Sequence, residues 1–156
     1  MPTVAFGVGI VRLSADGVTI DPDFGTANTG YLVFSQVALS SYCHDLLALP
    51  DGGVMAAGYQ TTLGGMESDP AMLALNAQGE LDARYWQGGI RVLSIDRTVD
   101  DANTGLDTFY AAHLDADRER VVMLGRSEGP ELDRFQGLLH AVALHDRLFR
   151  DGLEAQ

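Results

Sequence analysis

Met72-Leu73-Ala74-Leu75-Asn76-Ala77-Gln78-Gly79, followed by Leu81-Asp82 and then Tyr85-Trp86, is a phrase that this chain writes twice. The other copy reads Ile10-Val11-Arg12-Leu13-Ser14-Ala15-Asp16-Gly17, then Ile20-Asp21 and Phe24-Gly25, and Leu13 precedes Leu75 by 62 residues (75 minus 13). Each copy runs from an apolar strand through a polar turn with glycine to a hydrophobic–aspartate pair and an aromatic. A period of this length belongs to propeller blades or solenoid coils rather than to one compact enzyme fold. Elementary chemistry accounts for the pattern. Gly17 and Gly79 permit positive φ in a tight turn, Asp21 and Asp82 can bond backbone amides of their own turns, and Phe24 and Tyr85 can close the space between stacked sheets.

Outward from the repeat, strand signals dominate. Val4 to Leu13 is β-branched and interrupted by Gly7 and Gly9, and Asp16-Gly17 is a hairpin-type turn. Tyr31 to Leu39 reads as a further strand. Leu46 to Leu49 meets Pro50-Asp51-Gly52-Gly53, a strong turn, and Val54 to Tyr59 returns, its small residues Ala56, Ala57 and Gly58 implying close backbone approach. Thr61 to Asp69 reads as a loop, with strands at Ala71–Leu75 and Gly89–Ile95 after it. A second echo follows: Phe109–Leu114, the acidic turn Asp115–Arg118, then Val121–Gly125, with Gly125 answering Gly58 at a spacing of 67 (125 minus 58). Gly137–Leu144 is a strand by repeat position. Pro130, Glu131 and the helical spacing of Leu132, Phe135, Leu139 and Val142 offer a helix instead. The repeat favours the strand.

These segments predict an all-β fold, a propeller-like repeat of antiparallel β-meander units worth two to three blades. It forms one domain over residues 1–156, with a partial unit at 4–39, a full unit at 44–95 and a degenerate unit at 108–150. Leu49-Pro50-Asp51-Gly52-Gly53-Val54-Met55-Ala56-Ala57-Gly58, with Met72 to Asp82 after it, resembles the bacterial delta-60 repeat. The resemblance implies β-propeller blades; it covers residues 5 to 95 well and 108 to 150 poorly. Gly53 stands where that family usually has lysine, and Trp86 follows Tyr85 where glycine is usual. The motif describes turns and packing, so it implies no catalytic residues. Closed propellers need about four to eight blades, more than this chain supplies. Completion by copies of itself or by another protein is therefore expected, because uncovered edge strands invite aggregation.

Composition narrows the partners. The chain has 156 residues, 22 acidic and 10 basic, for a formal charge of -12. Such a surface repels phosphate backbones and anionic lipid, so neither nucleic acid nor membrane insertion is expected. All ten basic residues are arginine, which removes lysine-based catalysis. Cys43 is the only cysteine, expected as a small buried hydrophobe with no internal disulfide to form. Met1-Pro2-Thr3-Val4 lacks a charged leader and no long apolar span follows. Cytoplasmic synthesis without a signal peptide, with incorporation into a particle or surface assembly, is the resulting expectation.

Candidate sites are few. Asp101, Asn103 and Asp107 alternate around Gly105 like the first ligands of a calcium loop, but the closing glutamate is missing, its place taken by Ala112. An Asx turn before a strand is the simpler account; no cofactor is expected otherwise. Asp115, Asp117 and Glu119 read as a solvated hairpin tip. Tyr59, Tyr85 and Trp86 could line a carbohydrate groove between blades, or pack in the core. Ser40, Ser41, His44 and Asp45 suggest a triad without the usual elbow. The expected function is non-enzymatic assembly as a structural subunit. A lectin-like module using Tyr59, Tyr85 and Trp86 is the alternative, and a hydrolase using His44 or His113 a distant third.

Overall fold

The computed structural model describes residues 7–25, 27, 29–34, 40–61, 67–93, 106–128 and 135–144. The strands are β1 (Val8–Val11), β2 (Tyr31–Phe34), β3 (Ser40–Ala48), β4 (Val54–Thr61), β5 (Ser68–Leu75), β6 (Ile90–Val92), β7 (Thr108–Asp115), β8 (Arg120–Glu128) and β9 (Phe135–Ala143). They form three antiparallel sheets, β1-β2, β3-β4-β5-β6 and β7-β8-β9, each a meander in sequence order. The molecule is almost all β: two 3-10 turns are the helical elements named among the described residues. The segment open to strand or helix is the strand β9, paired with β8 from Arg120↔Ala143 to Glu128↔Phe135. No barrel or ring closes among the described strands.

The repeated phrase folds the same way twice. Leu13 bridges Ile20, and Leu75 bridges Leu81. The Gly17 amide donates to the Ser14 carbonyl at 2.8 Å and the Gly79 amide to the Asn76 carbonyl at 3.0 Å. The Asp21 amide donates back to Arg12 at 3.0 Å, and that of Asp82 to Ala74 at 2.8 Å. Each aspartate then fixes its own turn, Asp21 accepting the Asp23 amide and Asp82 that of Arg84. A guanidinium neutralises each carboxylate, Arg12 at Asp21 and Arg84 at Asp82, so the two turns are electrostatically alike although the arginines come from different positions. In the first turn, hydrogen bonds from the side chain and amide of Thr19 and from the Val18 amide lower the Asp16 pKa to about 2.

Stacking follows from the same phrase. Phe24 is fully buried, and a Cβ on Gly79 would lie 2.9 Å from its ring and 2.8 Å from the Gly25 nitrogen. The Gly25 amide donates to the Gln78 carbonyl at 2.8 Å. The aromatic end of the first copy is thus seated on the turn of the second, and only glycine permits that approach at φ +80°.

The four-stranded sheet is covered on both faces, which is why β4 reads as a nearly continuous small and apolar run. Val54, Ala56, Leu73, Leu75 and Ile90 pack against Val8, Ile10, Leu32 and Phe34 of the two-stranded sheet. Met55, Ala57, Met72 and Ala74, on the other face, pack with Tyr85 and Trp86 against Phe109, Val121, Met123 and Val142 of the three-stranded sheet. Alternation of side chains along each strand delivers these two sets. One expectation fails here: Cys43 is exposed on the end strand β3, its Sγ donating to the Asp45 carbonyl at 3.3 Å.

Candidate functional site

Two β-bulges at matching places build the most distinctive surface of the molecule. In β3, Cys43 pairs with Gly58 and Asp45 with Ala57, leaving His44 as the extra residue. In β7, Phe109 pairs with Gly125 and Ala111 with Leu124, leaving Tyr110 as the extra residue. A bulge re-aims the side chain it carries. It also brings the two backbones together: a Cβ on Gly58 would lie 1.9 Å from the Tyr42 carbonyl oxygen, and one on Gly125 2.0 Å from that of Thr108. The glycines answering each other across the sequence are therefore the partners of the bulges. Past the first bulge, the Asp45 carboxylate accepts the Ala112 amide at 2.7 Å and ties β3 to β7.

Re-aimed in this way, the His44 and Tyr110 rings meet at 5.1 Å across the seam between the sheets. His44 also lies 5.4 Å from Tyr59, which stacks on Tyr42 at 4.6 Å with an interplanar angle of 14°. The Arg126 guanidinium sits over the Tyr110 ring, 5.7 Å from its centroid. Together with Thr61, Ser68, Leu106 and Thr108 these residues line an open cleft of about 320 Å³. Its floor is pinned by Ser68: the hydroxyl donates to the Asp107 carbonyl at 3.0 Å, and the Asp107 amide donates to the Ser68 carbonyl at 2.9 Å. Desolvation, reinforced by Tyr42 and Tyr110, raises the Tyr59 pKa above its usual 10.0, so the phenol keeps its proton near neutrality.

The expected aromatic groove is divided. Tyr59 lines this cleft, whereas Tyr85 and Trp86 are buried in the core between the four- and three-stranded sheets, their rings 6.0 Å apart. Tyr85 borders a second cavity of about 290 Å³ beside Pro50, Asp51, Leu114, Ala116, Glu119 and Leu144. That cavity lies at the turn end of β4, five residues from Tyr59 along a strand that rises about 3.3 Å per residue. One ligand therefore does not reach all three aromatics in the arrangement the sequence suggested.

Of the calcium-loop residues, Asp101 and Asn103 lie outside the described residues. Asp107 is buried beside Ser68. No group of three or more His, Cys, Asp or Glu side chains is placed to hold a metal among the described residues. The Asp115 carboxylate accepts from Arg118 and Arg120, as a charged hairpin tip does. In the suggested triad, Asp45 is turned to the amides of Leu46 and Ala112, while His44 packs on tyrosines. No helix among the described residues is long and apolar enough to cross a membrane. Sequence reasoning missed Tyr42, Tyr110 and Arg126, and gave His44 a different role. The one sequence signal for them was the Gly58–Gly125 echo, which marks the bulges without naming the residue each displaces. Comparison of the chain with family models, with curated proteins and with solved structures found no match.

Proposed function

We propose that this chain is a non-enzymatic structural subunit that assembles head to tail with copies of itself, its sheets acting as blades of a propeller-like stack of the delta-60 kind. A subunit of a particle or surface layer fits this role. One observation carries the reading: the two outermost faces of the stack repeat the residues that make the inner contacts. Val11 and Leu13 answer Leu73 and Leu75 at a spacing of 62, and by sheet register Tyr31 answers Ile90. Leu73, Leu75 and Ile90 are covered by the neighbouring sheet. Val11, Leu13, Tyr31 and Val33 are 56%, 49%, 49% and 63% exposed. At the other end, Val122, Leu124, Leu139 and Ala141 answer Met55, Ala57, Met72 and Ala74 at a spacing of 67. The latter four are buried, whereas Leu124 and Leu139 are 58% and 68% exposed.

The β8-β9 outer face of one copy is thus of the kind that receives a sheet, and the β1-β2 outer face of the next is of the kind that is received. Such a heterologous contact closes into a ring or continues as a filament. Two faces of about four side chains each belong to the small class of interfaces below ~1,200 Å², so association is expected in the micromolar range. Light scattering across that range tests it. Leu124→Glu with Leu139→Glu, and separately Val11→Glu with Val33→Glu, each give a monomer. Mixed together they give a dimer and nothing larger, because one good face of each kind remains. A wild-type chain that stays monomeric at ~100 μM, well above that range, refutes the proposal.

A further inference from the structure

Beyond assembly, we propose that Tyr42 and Tyr59 form an oxidative cross-linking site, at which a peroxide-driven one-electron oxidant joins the two rings as dityrosine and staples β3 to β4. The two residues face each other directly across the antiparallel pair. Their ring centroids lie 4.6 Å apart with the planes 14° from parallel. That is no wider than the ~4.5–5.5 Å between the Cβ atoms of a facing pair. The side chains therefore run alongside each other out to the Cε carbons beside the hydroxyls. Those carbons share the unpaired electron of a phenoxyl radical, and they are where two such radicals couple.

Access and spacing single out this pair. Tyr42 is 37% exposed and Tyr59 half-buried, so the oxidant enters at Tyr42. It takes one electron from that phenol, whose proton passes to solvent. The vacancy crosses the stack when Tyr59 gives up an electron and a proton while Tyr42 regains them, and a second equivalent then oxidises Tyr42 again. The two radicals form one Cε–Cε bond, and the two ring hydrogens move to the phenolic oxygens as aromaticity returns. Hydrogen peroxide takes up the two electrons and two protons released and becomes two waters. The other tyrosines are held away. His44 lies 5.4 Å from Tyr59 and 5.1 Å from Tyr110, and so spaces Tyr110 from the pair. Tyr85 is buried in the core, and Tyr31 stands on the outer face of another sheet. Tyr31 is nearer to Tyr42 along the chain (42 minus 31 gives 11, against 59 minus 42, 17), so proximity in sequence favours the wrong partner. With one cysteine and no lysine, a single chain has neither a disulfide nor a lysine-derived bond with which to staple itself.

The test treats the dilute full chain with hydrogen peroxide and a haem peroxidase, and follows dityrosine emission, gel mobility and mass. A product of monomer size that has lost two hydrogens is expected. Digestion at aspartate cuts at Asp45 and Asp51, between the two tyrosines, and should leave their fragments joined. Tyr42→Phe and Tyr59→Phe each lower the yield about tenfold, since what remains lacks a partner held in place, whereas Tyr31→Phe and Tyr110→Phe keep it. Circular dichroism verifies that each variant is folded. The closed loop restrains the unfolded chain as a disulfide of that span does, so the urea midpoint of the stapled protein rises by about 1 M. Absence of dityrosine, coupling chiefly between copies, or a bond that survives Tyr42→Phe or Tyr59→Phe overturns the proposal. The Leu124→Glu, Leu139→Glu monomer keeps both rings, so its cross-link separates this site from assembly.

Discussion

Replacing Gly58 by alanine strikes the joint between fold and site. The new Cβ would lie 1.9 Å from the Tyr42 carbonyl oxygen and 3.1 Å from the Cys43 Cα, both backbone atoms that no rotamer change can move aside. Bringing the first contact to even 3.0 Å parts two hydrogen-bonded strands by about 1.1 Å (3.0 minus 1.9). Overpacking of this kind costs ~1–3 kcal/mol, and a ladder hydrogen bond lost with it about 1 kcal/mol more. The alternative, straightening the bulge, slips Ser40 to Cys43 by one residue and turns Tyr42 to the opposite face. We expect a loss of ~2–4 kcal/mol, which lowers the urea midpoint by more than ~1 M at the slopes typical of small domains. Gly125→Ala should do the same, because its Cβ would lie 2.0 Å from the Thr108 oxygen. Gly9 and Gly137 are the controls: each sits in a strand with nothing within 4 Å of an added Cβ, so alanine there gains ~0.5–1 kcal/mol. Urea unfolding followed by Trp86 fluorescence, at one fixed protein concentration so that association does not intrude, reads all four. If Gly58→Ala and Gly137→Ala move the midpoint alike, the account of the bulges is wrong.

Phe24→Ala empties a fully buried site between the first and second sheets. It should cost ~3–5 kcal/mol and speed proteolysis within residues 8–34, and a loss below 1 kcal/mol would contradict the seating of Phe24 on Gly79. His140 carries a buried Nε2 with no hydrogen-bond partner among the described residues, and burial, with the charge of Arg91, holds its pKa below the usual 6.5. Between the folded value and 6.5 the unfolded chain binds more protons, so stability falls as pH drops below 6.5 and levels off beneath the folded pKa. His140→Leu, which copies Leu73 of the middle sheet, should flatten that slope; urea midpoints at pH 7.5 and 5 that fall equally in both proteins would exclude His140 as its source.

Strands were legible where pattern and repeat agreed. The phrase at Leu13 and Leu75 carries its own turn chemistry, so both copies fold locally and alike, down to the bridges at Ile20 and Leu81. β9 was ambiguous because a short apolar run fits either period, and pairing with β8 over nine residue pairs resolves it. β3 begins at Ser40, well before the Leu46 that its sequence suggests, because pairing with β4 carries the strand back through the bulge. Cys43 was misplaced for the same reason: residue type says small and apolar, while its place on an end strand leaves it exposed.

The all-β character of the chain, the recurrence of its units at 62 to 67 residues and the places of its turns can be read from the order of its residues. These depend on interactions among residues close together along the chain. Which aromatics meet depends instead on how the sheets pack. Tyr85 and Trp86 went to the core because the face they flank is covered by the next sheet. Tyr42, His44, Tyr59 and Tyr110 converged because two single-residue bulges rotate side chains at positions 66 apart (110 minus 44). A bulge is a relation between two strands, fixed by how backbones fit across the sheet, and no single strand's pattern records it.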